Sequence, residues 1–335
     1  MSDNSKTLFI HIGTGKTGTS ALQKYLVKNN GLLKEKLNLH YISTGLENNK
    51  HRALDLNSRR WDNKGKEKVE NLFSLVNKEI LSSSLNRFLI SDEDFPGLSL
   101  DEIYFYRDVV SSSIKIKVIV YLRRQDEYLE SWFHQVVKTG QYNLQINKLK
   151  DEISSKKILD YNELLMRWEK VFGRDNIIVR IYDKGKFVGG NIFEDFMSIF
   201  DIDSKLLDLV SGDVNSSITR DKALLLRKLS NNGFDEVLEP QFIDYLKKIP
   251  PSVGDSKYTL PPEVRRDFLQ EFHFSNLEVS RRYFNNEEIF DSDISDDWRP
   301  RLAVPDELFI KVISYMLKRD NKSINNLPKD MLTYD

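Results

Sequence analysis

Cysteine is absent from the 335 residues, which removes a disulfide framework, a thiolate metal site and a cysteine nucleophile together. Glycine (15) and proline (9) are too few for a low-complexity chain. An excess of one charge is missing as well: 50 Lys and Arg stand against 51 Asp and Glu, a formal net charge of −1. That balance excludes a surface built to coat nucleic acid or an anionic membrane, yet it leaves room for a small local anion site. Nor is there any long hydrophobic run. The opening MSDNSKTLFIHIG is too short in apolar residues for a signal peptide. Nothing approaches the roughly 18 apolar residues of a membrane span, so a cytoplasmic location is expected. What is present is a 40% hydrophobic, 11% aromatic chain, long enough to bury a substantial core in one large or two ordinary domains.

Short apolar runs alternate with helical patterns over the first 205 or so residues. Strands are expected at Thr7–Ile12, Leu39–Ile42, Arg87–Ser91, Lys117–Leu122 and Ile177–Tyr182. Continuous runs such as VIVYL and IIVRIY suit parallel strands covered on both faces. Between them, Ala21–Val27 reads as a helix ending at Asn30-Gly31, and Asp126–Lys138 carries an apolar stripe through Tyr128, Leu129, Trp132, Phe133, Val136 and Val137. The expected fold class is α/β, a three-layer P-loop-like parallel sheet flanked by helices. From about 206 to 335 only helical patterns remain: Asp221–Leu229, Pro240–Lys248, Pro262–Phe284 and Pro305–Leu317. With no flexible linker before them, they read as a helical C-terminal part of one domain spanning 1–335. Residues 287–297, EEIFDSDISDD, hold six acids and no base and read as a solvated loop.

The sharpest local signal is TLFIHIGTGKTGTSALQ, Thr7 to Gln23. A buried strand runs into Gly13, Gly15 and Gly18, then into Thr19, Ser20 and an apolar helix. Glycines permit a tight turn with backbone N–H groups close to a ligand, and the helix start aims its amides and dipole at the same point. Lys16 adds a full positive charge, and Thr17, Thr19 and Ser20 add hydroxyls, so the segment is a phosphate or sulfate cradle. It is not a Walker A loop: the glycine that motif requires five positions before Gly15 is replaced by Ile10, inside the strand.

HIGTGKTGTSALQ resembles the 5′-phosphosulfate loop of sulfotransferases that use 3′-phosphoadenosine 5′-phosphosulfate (PAPS), and is similar to bacterial members reading HIG-x-x-KTGTT/S-x-LQ. The family's second element is a strand ending in Arg with Ser eight residues on. VIVYLRRQDEYLES supplies Arg123 and Ser131, with Arg124 beside the first. LDYNELLMRWEKVFGRDNIIVRIYDKGKFVGGNIFEDF and FSNLEVSRRYF carry the likeness over most of the chain. The resemblance implies a sulfotransferase with PAPS as donor and no metal. Gly15, Lys16, Thr17, Gly18, Thr19 and Ser20 would hold the 5′-phosphosulfate, Arg123 and Ser131 the 3′-phosphate, and a sugar or glycan hydroxyl would be the acceptor. Read without the resemblance, Ser131 is a solvated serine on a polar helix face.

Sulfuryl transfer needs a cation beside the leaving oxygen and a base at the acceptor. The family assigns its loop lysine to the first task, here Lys16. For the base, Glu93 follows the third strand in RFLISDEDF, where a carboxylate would face the same crevice as Lys16. Asp92-Glu93-Asp94 also reads as a run of loop acids, and His134, His51 and His11 stay open as alternatives. His134 shares a polar arc with Glu130 and Ser131, His11 sits within a strand, and His51 lies in a region without apparent structure. Trp61, with Arg59 and Arg60, is a candidate for stacking on a sugar and pairing an acidic group, whereas Trp168 in LLMRWEKVF reads as core. Two rivals remain: an ATP-dependent P-loop phosphotransferase, in which FLISDE would be a Walker B strand with Asp92 on magnesium, and a non-catalytic nucleotide- or anion-binding module.

Overall fold

The structure is a computed structural model and describes residues 5–56, 62–139, 158–209, 218–234, 239–291, 293–294, 298 and 305–320. The chain divides into two compact units. The first comprises Met1–Arg124, Lys156–Asn215 and His273–Phe290, and the second Gln125–Ser155, Ser216–Phe272 and Asp291–Asp335.

The first unit is built on a parallel sheet of five strands: β1 (Thr7–His11), β2 (His40–Tyr41), β3 (Arg87–Ser91), β4 (Lys115–Leu122) and β5 (Ile177–Ile181), in the order β2-β3-β1-β4-β5. Helices α1 (Thr19–Lys36), α2 (Asn63–Ser82), α3 (Leu100–Val109), α5 (Tyr161–Phe172), α6 (Ile192–Ser198) and α10 (His273–Tyr283) belong with it. The apolar runs expected as strands pair in register, His11 beside Ser91 on one side and beside Ile119 on the other. Phe9, Leu89, Ile119 and Tyr121 pack with Leu22, Tyr25 and Leu26 of α1 and with Phe193 and Phe196 of α6, forming one core layer. Successive strand residues face opposite ways, and Leu8, Ile10, Phe88, Ile90, Val118 and Val120 are buried too, so both faces are covered. Trp168 of α5 is core, as its spacing predicts. The class is therefore α/β with a parallel sheet flanked by helices.

Two helical expectations need correction, and two helices go unread in the sequence. α1 does not stop at Asn30-Gly31 but runs on to Lys36, because Leu33 is fully buried beyond that point. Asn30 turns its amide to β2 instead, donating to the Tyr41 carbonyl at 2.7 Å and accepting from the Tyr41 N–H at 2.9 Å. The pattern over Pro262–Phe284 is two helices, α9 (Pro262–Gln270) and α10, whose buried residues Phe268 and Val279 serve different units. α2 and α3 are not singled out by the apolar pattern, yet both begin at clear caps. Asp62 accepts from the Gly65 N–H, and Ser99 and Glu102 form a reciprocal capping box.

The second unit contains α4 (Gln125–Lys138), α7 (Arg220–Asn231), α8 (Pro240–Lys248), α9 and α11 (Asp306–Asp320) among its described residues. Asp126 of α4 pairs with the fully buried Arg265 of α9, whose guanidinium lies 3.4 Å from the Tyr258 ring centroid. In the acidic run, the described acids Glu287, Glu288, Asp291 and Asp293 are exposed, while the interleaved Ile289, Phe290 and Ile294 are buried.

Candidate active site

The order of the sheet places β1 between β3 and β4, with the chain turning to opposite sides of it. In open α/β sheets the crevice outside the carboxyl ends at such a switch point is where ligands bind. Three segments emerge there: Gly13–Gly18 after β1, Asp92–Asp94 after β3, and Arg123 after β4.

The loop after β1 is tied down by its own backbone. Tyr121 N–H donates to the Gly13 carbonyl at 2.8 Å, and both the N–H and the hydroxyl of Thr14 reach the Tyr121 carbonyl. The Thr17 and Thr19 hydroxyls both donate to the Thr14 carbonyl, so these two buried side chains close the loop on itself, whereas Ser20 is exposed. Lys16 adopts a left-handed conformation at φ 63°, and Gly18 at φ 74° forms the N-cap of α1 without a side-chain cap. The first N–H groups of a helix lack the usual intrahelical acceptor; here, among the described residues, no side chain caps them, and only the Ala21 N–H turns back, to the Gly18 carbonyl at 3.1 Å. At Gly13 and Gly18 the neighbours are close: an added Cβ would stand 3.3 Å from the Glu93 Cα at Gly13 and 3.3 Å from the Tyr182 ring at Gly18.

Arg123 donates to the Lys16 carbonyl at 2.7 Å, with its guanidinium 5.4 Å from the Tyr182 ring centroid, and its own carbonyl accepts from the Tyr161 hydroxyl. Burial draws the Lys16 ammonium below its ordinary range; the Glu93 charge pulls it back up and the Arg123 charge adds to the fall. The loop lysine thus feels the charges of the post-β3 glutamate and the post-β4 arginine within the first unit. Ser131 lies on α4 in the second unit, half-buried. Arg124 is also half-buried.

Glu93 accepts from Lys50 Nζ at 3.1 Å, and the same ammonium lies 3.9 Å from Asp92 and 3.7 Å from Asp94. Asp92 is fully buried, one carboxylate oxygen accepting from the Asp94 N–H and the other lacking a hydrogen-bond partner among the described residues. Burial pushes its carboxyl up to about 7, against the Asp94 N–H and Lys50, which pull it down. Asp55, Asp92 and Asp94 bring carboxylate oxygens within 4.8 Å of one another, with the Lys50 ammonium against two of the three.

The histidines have other work. His51 is not in an unstructured region: it is fully buried at the start of a short 3₁₀ turn, its Nε2 bonded to the Ile42 carbonyl and its Nδ1 accepting from the Ser91 N–H. Burial lowers it to about 4. His11 is a core histidine whose Nδ1 meets the Ser91 hydroxyl at 2.8 Å, and burial lowers it to about 3. His134, on the polar arc it shares with Glu130, is buried in a side-chain network of the second unit, against the Thr259 hydroxyl at 2.9 Å and Glu130 at 3.4 Å. Trp61, Arg59 and Arg60 lie outside the described residues.

Apolar periodicity and motif spacing both missed Lys50, Ser91 and Gln23. Ser91 fastens three segments, receiving the Gln23 amide at 3.1 Å besides its bonds to His11 and His51. The available signal for Lys50 was Asn48-Asn49, a dipeptide suited to positive φ and hence to a tight turn.

No protein-family model matches the chain. An uncharacterized protein of Archaeoglobus fulgidus is 30% identical over 234 residues, 67% of this chain, and the chain spans 62% of that relative's length. Among solved structures, a sulfotransferase from Alicyclobacillus acidocaldarius is similar over 73% of this chain and 98% of its own, at 12% identity and a TM-score of 0.41. The sulfotransferase domain of the Synechococcus PCC 7002 olefin synthase is similar over 81% of this chain and 96% of its own, at 11% identity and a TM-score of 0.37.

Proposed function

We propose that the protein is a sulfotransferase that moves the sulfuryl group of PAPS to an acceptor hydroxyl on a carbohydrate or glycoconjugate. The observation that carries the reading is the uncapped start of α1 behind Gly18, with Lys16 in its loop, Arg123 bonded to that loop and Glu93 against Gly13. Such a cradle fits an anionic phosphosulfate: backbone donors at a helix start and a fixed cation belong to one short loop. Its order of residues is the one the PAPS-dependent family uses, and it lacks the spacing of an ATPase loop.

PAPS supplies the sulfuryl group and leaves as adenosine 3′,5′-bisphosphate. Glu93 takes the acceptor's proton while the acceptor oxygen bonds to sulfur and the bond from sulfur to the bridging oxygen breaks. Lys16 stabilises the charge left on that oxygen. Gly15, Gly18, Thr19 and Ser20 hold the 5′-phosphosulfate with backbone donors, the Thr17 and Thr19 hydroxyls keep the loop in shape, and Arg123 pairs the 3′-phosphate. His51 is a poor base because both ring nitrogens are bonded.

The test is a pair of thermal-shift titrations followed by turnover of ³⁵S-labelled PAPS over a panel of methyl glycosides. Adenosine 3′,5′-bisphosphate is expected to raise the melting temperature well above any shift given by ATP with magnesium, and label is expected to appear on a glycoside. Stabilisation by ATP–Mg²⁺ alone would turn the reading to a phosphotransferase with Asp92 at the metal. Bisphosphate binding without transfer to any acceptor would turn it to a non-catalytic binding module.

A further inference from the structure

Lys50 has no place in either motif, yet it is held more firmly than most lysines. It closes a two-residue turn with Glu47: the two residues exchange backbone hydrogen bonds of 2.7 and 3.0 Å, and Asn48 and Asn49 between them have φ of 50° and 71°. Positive φ at both central positions is what a type I′ turn demands, and asparagine tolerates it. The buried Tyr41 donates its hydroxyl to the Asn49 carbonyl at 2.8 Å on one side of Lys50. On the other side His51 is clamped to Ile42 and Ser91 through its ring and to the Ser91 carbonyl through its N–H. The backbone on each side of Lys50 is thereby fixed to β2 and β3, and its side chain is only 14% exposed.

Its ammonium reaches three successive acids, with Glu93 nearest at 3.1 Å. Glu93 is hydrogen-bonded to Lys50 through Oε1, and its charge also acts on the Lys16 ammonium. A base that closed onto Lys16 would neutralise the charge needed at the leaving oxygen.

We propose that Lys50 is a positioning residue for Glu93: it grips Oε1, leaves the second carboxylate oxygen to the acceptor, and keeps Glu93 from pairing with Lys16. The proposal rests on Glu93 being the base in the sulfotransferase reading. The burial of Lys50 works against its charge, but Asp92, Glu93 and Asp94 outweigh that and hold the ammonium above its ordinary range, so it is a cation at neutral pH.

The experiment compares wild type, Lys50→Met, Lys50→Arg and Glu93→Gln, using ³⁵S-labelled PAPS with the methyl glycoside of highest turnover. Bisphosphate affinity is measured by calorimetry and folding by melting temperature. Lys50→Met is expected to lose about 10- to 100-fold in kcat, the scale of a displaced catalytic group, with bisphosphate affinity within about 3-fold of wild type. Lys50→Arg is expected to recover most of the loss, since a guanidinium can grip the same oxygen. Wild-type turnover in Lys50→Met while Glu93→Gln is inactive overturns this inference alone. Equal losses in bisphosphate affinity and kcat, or no recovery in Lys50→Arg while it melts like wild type, overturn it as well. An active Glu93→Gln, or a wild type that transfers nothing from PAPS, overturns the parent reading and this inference with it.

Discussion

Lys16 and Glu93 carry opposite charges, and the proposed mechanism gives them opposite tasks that substitution separates. Lys16→Ala is expected to lose roughly 10²-fold or more in turnover, the size of one preorganised charge-stabilising donor. Glu93→Gln is expected to lose about 10²- to 10⁴-fold with bisphosphate binding retained. Single-turnover kinetics beside calorimetry check both, and a Glu93→Gln protein of near-normal rate would remove Glu93 as the base. Asp92 titrates in a way that bears on stability. Its folded value, raised to about 7 by burial, lies above the ordinary aspartate value of 3.8. Its contribution is therefore fully present below about pH 4 and is lost as pH rises through about 7. Asp92→Asn keeps an acceptor for the Asp94 N–H and carries no charge. Its melting temperature relative to wild type is expected to rise by several degrees between pH 5 and pH 8; an unchanged difference across that range would show that Asp92 is ionised at no cost.

At the scale of elements, strands were far more legible than helix ends. A parallel strand buried on both faces must be apolar nearly throughout, so VIVYL announces itself; IIVRIY is also a strand, but it lies at the sheet edge and is only half-buried from Ile178 to Arg180. A helix end depends on what lies beside it. Asn30-Gly31 has the composition of a stop, but Leu33 still has core to fill and the Asn30 amide is bonded to β2. Gly31 is thus an exposed glycine inside a helix, and an added Cβ there would meet no atom within 4 Å. Gly31→Ala is expected to stabilise the protein by about 0.5–1 kcal/mol, read as a higher urea midpoint with unchanged slope. A lower midpoint would mean that Gly31 serves something other than helix continuity. The two asparagines before Lys50 show the converse. Asn48-Asn49 also looks like loop composition, and its positive φ values build a turn that aims a lysine at the candidate base.

For the molecule as a whole, a net charge of −1 says nothing about where charge acts. Positive groups at Lys16 and Arg123 share the carboxyl end of the sheet with the acids after β3, and the uncapped amides of α1 add donors that no charge count includes. A ligand that binds only the folded state stabilises it by mass action, about 2.7 kcal/mol at about 100 times its Kd. A bisphosphate titration should therefore raise the melting temperature steadily with concentration, and a shift that saturates near zero would contradict a formed anion site. The sequence by itself determined the strands and the glycine-rich turn after β1, because burial on two faces and the need for positive φ leave local marks in residue type. Only the tertiary structure decided what stands beside Glu93. Lys50 is 43 positions away, and the β2–β3 pairing, with His51 clamped to Ser91, brings them together. His51 shows the same limit: its sequence position leaves it open as a base, and packing commits both of its nitrogens to the backbone. Residue spacing records local geometry, whereas the adjacency of strand ends is set by which apolar faces bury one another.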